Sequence, residues 1–68
     1  MSEFLDKMSA VLETPVAAET VFRDVPGWSS LMAFAVLVTL ENDFGRPMTI
    51  AELLERKTVG DLAAACGL

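Results

Sequence analysis

The pentapeptide Gly27-Trp28-Ser29-Ser30-Leu31 sets two adjacent hydroxyls just before the apolar run Leu31 to Leu40. A serine at a helix start commonly serves as the N-cap, its oxygen accepting a free backbone amide. Only one of the two can hold that position, which leaves the other hydroxyl open to chemistry. If Ser29 caps, Ser30 falls in the first turn, beside unpaired amides and the positive end of the helix dipole. That setting suits a phosphodiester, because amides and dipole favour an anion without help from a basic side chain. The rest of the inventory is poor in reactive groups. The chain has no His and one Cys, Cys66, so a Ser-His-Asp triad, a Cys-His dyad and a zinc site of Cys and His ligands are excluded.

Sixty-eight residues make a single expected domain over residues 1–68. A chain of this size buries only roughly 60% of the surface its unfolded form exposes, which leaves no room for a deep catalytic cleft. No enzymatic activity is expected. Cys66 cannot form an internal disulfide and reads as a small buried hydrophobe. As a reactive thiolate it would need positive charge close by, and the nearest base in sequence is Lys57. Ten acids against five bases give a net charge of −5, which repels nucleic-acid backbones and anionic membrane surfaces and steers the chain toward basic patches on proteins. Met1-Ser2-Glu3-Phe4 lacks the positive charge of a signal peptide, and Leu31 to Leu40 is far too short to span a bilayer. A soluble cytoplasmic monomer is expected.

The elements that must position the serines can be read from caps and apolar spacing. Ser2 can cap a first helix through about Leu12, with Phe4, Leu5, Met8, Val11 and Leu12 on one face. Thr14-Pro15 stops it, since proline lacks the amide donor and disfavours helix in the residue before it. A connection of about 14 residues follows, long enough to need its own anchors; Phe22, Val25 and Trp28 are available, and a helical turn within Val16 to Val21 is possible. The second helix starts at Ser29 or Ser30 and ends at Gly45, which is free to adopt the left-handed conformation. Its buried stripe is expected at Val36, Leu37, Leu40 and Phe44, with Phe34 nearby. Glu41 and Asp43 crowd the negative end of its dipole, a placement that hints at a task other than folding. Thr49-Ile50-Ala51-Glu52 has capping-box spacing and predicts a short third helix through about Glu55. Thr58-Val59-Gly60-Asp61 repeats the device and opens a fourth, with Val59, Leu62, Ala63 and Cys66 inward. The expected fold is all-α, a small four-helix bundle with a long loop between helices 1 and 2 and a short helix 3.

Taken together, Phe22-Arg23-Asp24, Pro26-Gly27-Trp28, Ser30-Leu31, Glu41 to Gly45 with its Phe44-Gly45 close, and Thr58-Val59-Gly60-Asp61-Leu62 resemble the acyl carrier protein family at family-like spacing. The resemblance runs from about Phe4 to Leu62 and is strongest from Phe22 to Gly45. It implies that a phosphopantetheinyl transferase moves 4′-phosphopantetheine from coenzyme A onto Ser30. The arm's thiol then holds acyl groups as thioesters for acyl-transferring or synthase enzymes of fatty-acid, polyketide or related biosynthesis. Leu31 corresponds to a leucine that such partners contact.

Two departures stand out. Ser29 occupies the place of a family aspartate that helps position the transferase through charge. Its replacement leaves three outcomes open: slow modification, dependence on a dedicated transferase, or none. Fatty-acid carriers also place acids along the exposed face of the second helix, where this chain has Met32 and Ala35. These two residues either extend the core or, as favoured here, join Ser29 and Leu31 in an apolar partner-binding surface. Trp28 reads first as a loop anchor, with direct partner contact as the alternative. The competing functions are an unmodified carrier-like interaction module and a peptidyl or aminoacyl carrier, although the latter tends toward Gly-Gly-x-Ser-Leu.

Overall fold

The computed structural model describes residues 2–68. Among them are four α-helices and no strand: α1 (Ser2–Leu12), α2 (Ser30–Phe44), α3 (Ile50–Leu54) and α4 (Val59–Ala65), with a 3-10 turn at Phe22–Asp24 in the long loop. The all-α reading therefore holds, with the long loop and the short third helix where the sequence puts them.

Helix α1 buries Phe4, Met8 and Leu12 at intervals of four, while Leu5 and Val11 pack half-buried beside them. Ser2 lies inside the first turn rather than at the flanking cap position. At the other end the stop signal is more local than Pro15. Glu13 takes a left-handed conformation, φ 57°, and the Thr14 N–H reaches back to the Ser9 carbonyl at 3.2 Å, closing a Schellman-type turn. The Ser9 hydroxyl also accepts from the Val16 N–H at 3.1 Å.

Helix α2 packs against both α1 and α3 and buries Ala33, Val36 and Leu40. Leu37 and Phe44 are half-buried against the same core, and the Phe44 ring meets Phe4 of α1 at 5.4 Å between centroids. Phe34 departs from the expected stripe: it is 60% exposed. With apolar residues on nearly every side of α2, periodicity alone offers no contrast from which to choose the buried face. Gly45 ends the helix at φ 63°, its N–H bonded to the Glu41 carbonyl. The acids at this end have one visible partner, since Asp43 lies 3.8 Å from the Lys7 ammonium of α1. Both are well exposed, and such pairs contribute little to stability.

Both capping boxes form. The Thr49 hydroxyl accepts from the Glu52 N–H at 3.1 Å while the Glu52 carboxylate accepts from the Thr49 N–H at 2.9 Å. Thr58 and Asp61 repeat the exchange at 3.0 and 3.2 Å. Leu53, Val59, Leu62, Ala63 and Cys66 complete the core.

The long loop is anchored by more than its side chains. Phe22 and Val25 are buried and Trp28 stacks on Phe22 at 5.1 Å, as the sequence suggests. In addition, backbone bonds tie the loop to the start of α4: Phe22 N–H to the Lys57 carbonyl at 3.1 Å, Val59 N–H to the Thr20 carbonyl at 3.0 Å, and Gly60 N–H to the Ala18 carbonyl at 2.7 Å. The possible helical turn before Val21 is a single tight turn closed by Thr20, whose N–H bonds the Ala17 carbonyl and whose hydroxyl accepts from the Ala17 N–H.

Candidate functional site

The loop delivers its chain to α2 through Gly27, which sits at φ 78°, a conformation that glycine adopts without steric cost. Trp28 follows, its N–H bonded to the Val25 carbonyl at 3.0 Å. The next residue, Ser29, is extended (φ −159°, ψ 173°) and holds the N-cap position. Its hydroxyl accepts from the Met32 N–H at 3.4 Å, a long bond by ordinary standards, and its carbonyl accepts from the Ala33 N–H at 2.9 Å.

Ser30 is therefore the first helical residue, exposed to solvent. None of the side-chain hydrogen bonds among the described residues engages it. With the Met32 amide taken by the cap, the N–H groups of Ser30 and Leu31 have no acceptor within the helix. The first turn of α2 holds no acid. A free hydroxyl, two unclaimed amides and the positive end of a 15-residue helix form a donor set that fits a phosphate ester at Ser30.

Beyond the serines lies an apolar surface. Leu31 is 82% exposed, Phe34 60% and Val38 51%, at spacings of three and four that align them on one face; Ala35 is exposed beside them. Met32 turns the other way and is half-buried against the core. The surface anticipated from Met32 and Ala35 thus divides: Ala35 belongs to it, Met32 mostly extends the core, and Phe34 and Val38 supply most of its area. The sequence holds no signal that separates Phe34 and Val38 from the buried residues, because α2 is apolar on nearly every side.

Cys66 lies apart from these residues. It is buried and unpaired, and burial pushes its thiol up, with the Arg46 charge pulling weakly the other way. Arg46, distant in sequence, is thus the nearby base in space rather than Lys57. A raised thiol is a poor nucleophile, which agrees with the reading of Cys66 as packing.

The phosphopantetheine attachment site family model matches residues 2–66. The chain belongs to this family. Carriers of the family hold 4′-phosphopantetheine covalently, are modified by phosphopantetheinyl transferases, work with synthase enzymes and are generally non-catalytic. Comparisons with curated proteins and with solved structures return no match. A phosphopantetheine-carrier role is thus supported over nearly the whole length, and the fit of Ser30 to a phosphate ester agrees with it. Among the described residues no helix is long and apolar enough to cross a membrane.

Proposed function

We propose that this chain is an acyl carrier in which Ser30 receives 4′-phosphopantetheine, and that it presents acyl intermediates to the enzymes of fatty-acid, polyketide or related biosynthesis without catalysing a step itself. The observation that carries this reading is the division of labour between the serines. Ser29 satisfies the cap, so the Ser30 hydroxyl is solvent-facing and bonded to nothing. When bound, the group supplies a thiol that holds acyl chains as thioesters. The chain's own residues do the rest: the α2 amides and dipole stabilise the phosphate, the Gly27-Trp28 turn fixes the entry to the helix, and Leu31, Phe34, Ala35 and Val38 offer partners an apolar face. Serine ranks beside aspartate as an N-cap residue, although it brings no charge to the positive end of the α2 dipole. What it lacks is charge to draw in a transferase, which affects encounter rate more than the bound geometry. The single cysteine, which can form no internal disulfide, supports action in the cytoplasm.

The test is intact-mass measurement after incubation with coenzyme A and several broad-specificity transferases. The chain is expected to gain one arm, the Ser29→Asp variant to gain it faster, and Ser30→Ala to gain none. If neither the native chain nor Ser29→Asp is modified, the carrier reading fails.

A second reading, an unmodified interaction module, draws support from the missing carboxylate at position 29 and from the exposed Leu31, Phe34 and Val38. It predicts that partner capture survives Ser30→Ala and is lost in Phe34→Glu. The carrier reading predicts that Ser30→Ala ends function.

A further inference from the structure

Among the described residues, nothing covers the outer face of α2. Leu31, Phe34 and Val38 stand out along it, with Ala35 exposed between them. A contiguous apolar face on so small a chain marks a contact surface. Its charge is as informative as its hydropathy. From Ser30 to Leu40 the helix carries no charged side chain, so the face holds nothing to recognise a basic patch and nothing to oppose pairing with an identical face.

The spacing makes this face complementary to itself. In a two-fold contact, residue i of one copy meets residue j of the other and j meets i. With two α2 helices antiparallel and the axis between positions 34 and 35, Leu31 of each copy falls opposite Val38 of the other, and each Phe34 falls opposite the small Ala35. The helix ends agree as well. Glu41 is exposed near the negative end of its own helix, where the dipole disfavours it. The ion pair at that end joins Lys7 to Asp43 and leaves Glu41 out. In the antiparallel pair, Glu41 of each copy arrives beside the Ser29 cap of the other, at the positive end of a helix whose first turn holds no acid.

We propose that this face is a reversible dimer contact with a second copy of the chain, the two α2 helices lying antiparallel about that axis. Four side chains per copy fall well short of the roughly 20–30 residues a side of a stable interface, and two chains of net charge −5 repel at long range. The dimer is therefore weak, and the dilute chain is monomeric. Because the contact adjoins Ser30, a paired copy withholds both the serine and the apolar face from an enzyme. That consequence rests on Ser30 being the attachment site, whereas the pairing itself does not.

The experiment is sedimentation equilibrium of the unloaded chain from micromolar to millimolar concentration. The apparent mass is expected to climb from one chain toward two. Phe34→Glu, with its helices checked by circular dichroism, should weaken association by about tenfold or more, since it removes an aromatic anchor and adds a like charge on each side of the axis. Register is read by disulfide formation in a Cys66→Ala background, where no native thiol competes. An equal mixture of Leu31→Cys and Val38→Cys chains should cross-link several-fold faster than either chain alone. A chain still monomeric at millimolar concentration overturns the proposal and leaves the α2 face to partner enzymes. Association that survives Phe34→Glu puts the contact elsewhere, and Leu31→Cys linking to itself as fast as to Val38→Cys excludes the antiparallel register; either result overturns the proposal too. None of these readouts needs a loaded arm, so failure here is distinct from failure of the Ser30 reading.

Discussion

Gly60 is the residue on which the seating of the long loop can be tested most sharply. It is the second residue of α4, where alanine is the better helix former by at most about 1 kcal/mol. Propensity therefore predicts that Gly60→Ala stabilises. Tertiary structure predicts the reverse. A Cβ added there would lie 2.9 Å from the Ala18 carbonyl oxygen and 3.2 Å from the Ala18 Cβ, and the first of these is backbone that cannot rotate away. The same carbonyl accepts the Gly60 N–H at 2.7 Å, so relieving the clash lengthens or breaks that bond. A lost hydrogen bond costs about 1 kcal/mol and overpacking about 1–3 kcal/mol. Set against the propensity gain, the net is a destabilisation of about 1–3 kcal/mol, a sizeable part of the roughly 3–10 kcal/mol available to a chain this long. Thermal unfolding followed by circular dichroism should show a melting temperature lower by roughly 5–20 °C. Trp28, stacked on the stapled Phe22, should report the loosened loop in its fluorescence. An unchanged or raised melting temperature would refute the idea that the loop is clamped to α4 through Ala18.

Phe34→Glu places a charge in the middle of the exposed face of α2, so stability should change by less than about 0.5 kcal/mol while capture of the cognate synthase enzyme is lost; calorimetric binding and melting measured side by side separate the two. Glu52, held below the usual carboxylate range first by the Thr49 backbone N–H and then by its hydroxyl, prefers the charged form when folded. Its contribution is full above the ordinary glutamate range and is lost as pH falls through the depressed value. Denaturant titrations between pH 6 and pH 3 should show a decline on acidification that becomes shallower in Thr49→Ala. Cys66 should react slowly with iodoacetamide in the folded protein and rapidly once denaturant exposes it, and fast labelling under native conditions would show that its burial or raised pKa is wrong.

The caps were the most legible part of the sequence, because they are local chemistry. Thr49 with Glu52, Thr58 with Asp61, and Gly45 after Phe44 each need only a few neighbouring residues to act. The assignment of Ser29 as cap and Ser30 as free hydroxyl belongs to the same class. The buried face of α2 was less legible. Ala33 is core and Phe34 is exposed, yet hydropathy ranks them the other way, and only the packing of α1 and α3 against α2 decides. The contacts that seat the long loop left no pattern to read. The Val21–Thr58 bridge and the approach of Gly60 to Ala18 join segments far apart in sequence through backbone atoms, which every residue type has. The approach of Arg46 to Cys66 is likewise a product of chain reversal. The left-handed Glu13 was hidden for another reason, since the signature of such a turn is glycine or asparagine.

The central claim is that Ser29 serves the helix and Ser30 carries the arm. Two adjacent serines of the same chemistry make this a question of position alone. After enzymatic loading, fragmentation of the tryptic peptide spanning residues 24–56, which runs through the uncut Arg46-Pro47 bond, by a method that preserves the phosphodiester assigns the modified residue directly. The account predicts that the added group resides wholly on Ser30. An arm found on Ser29 would contradict it, because the residue that caps α2 would then be the one that carries the cargo.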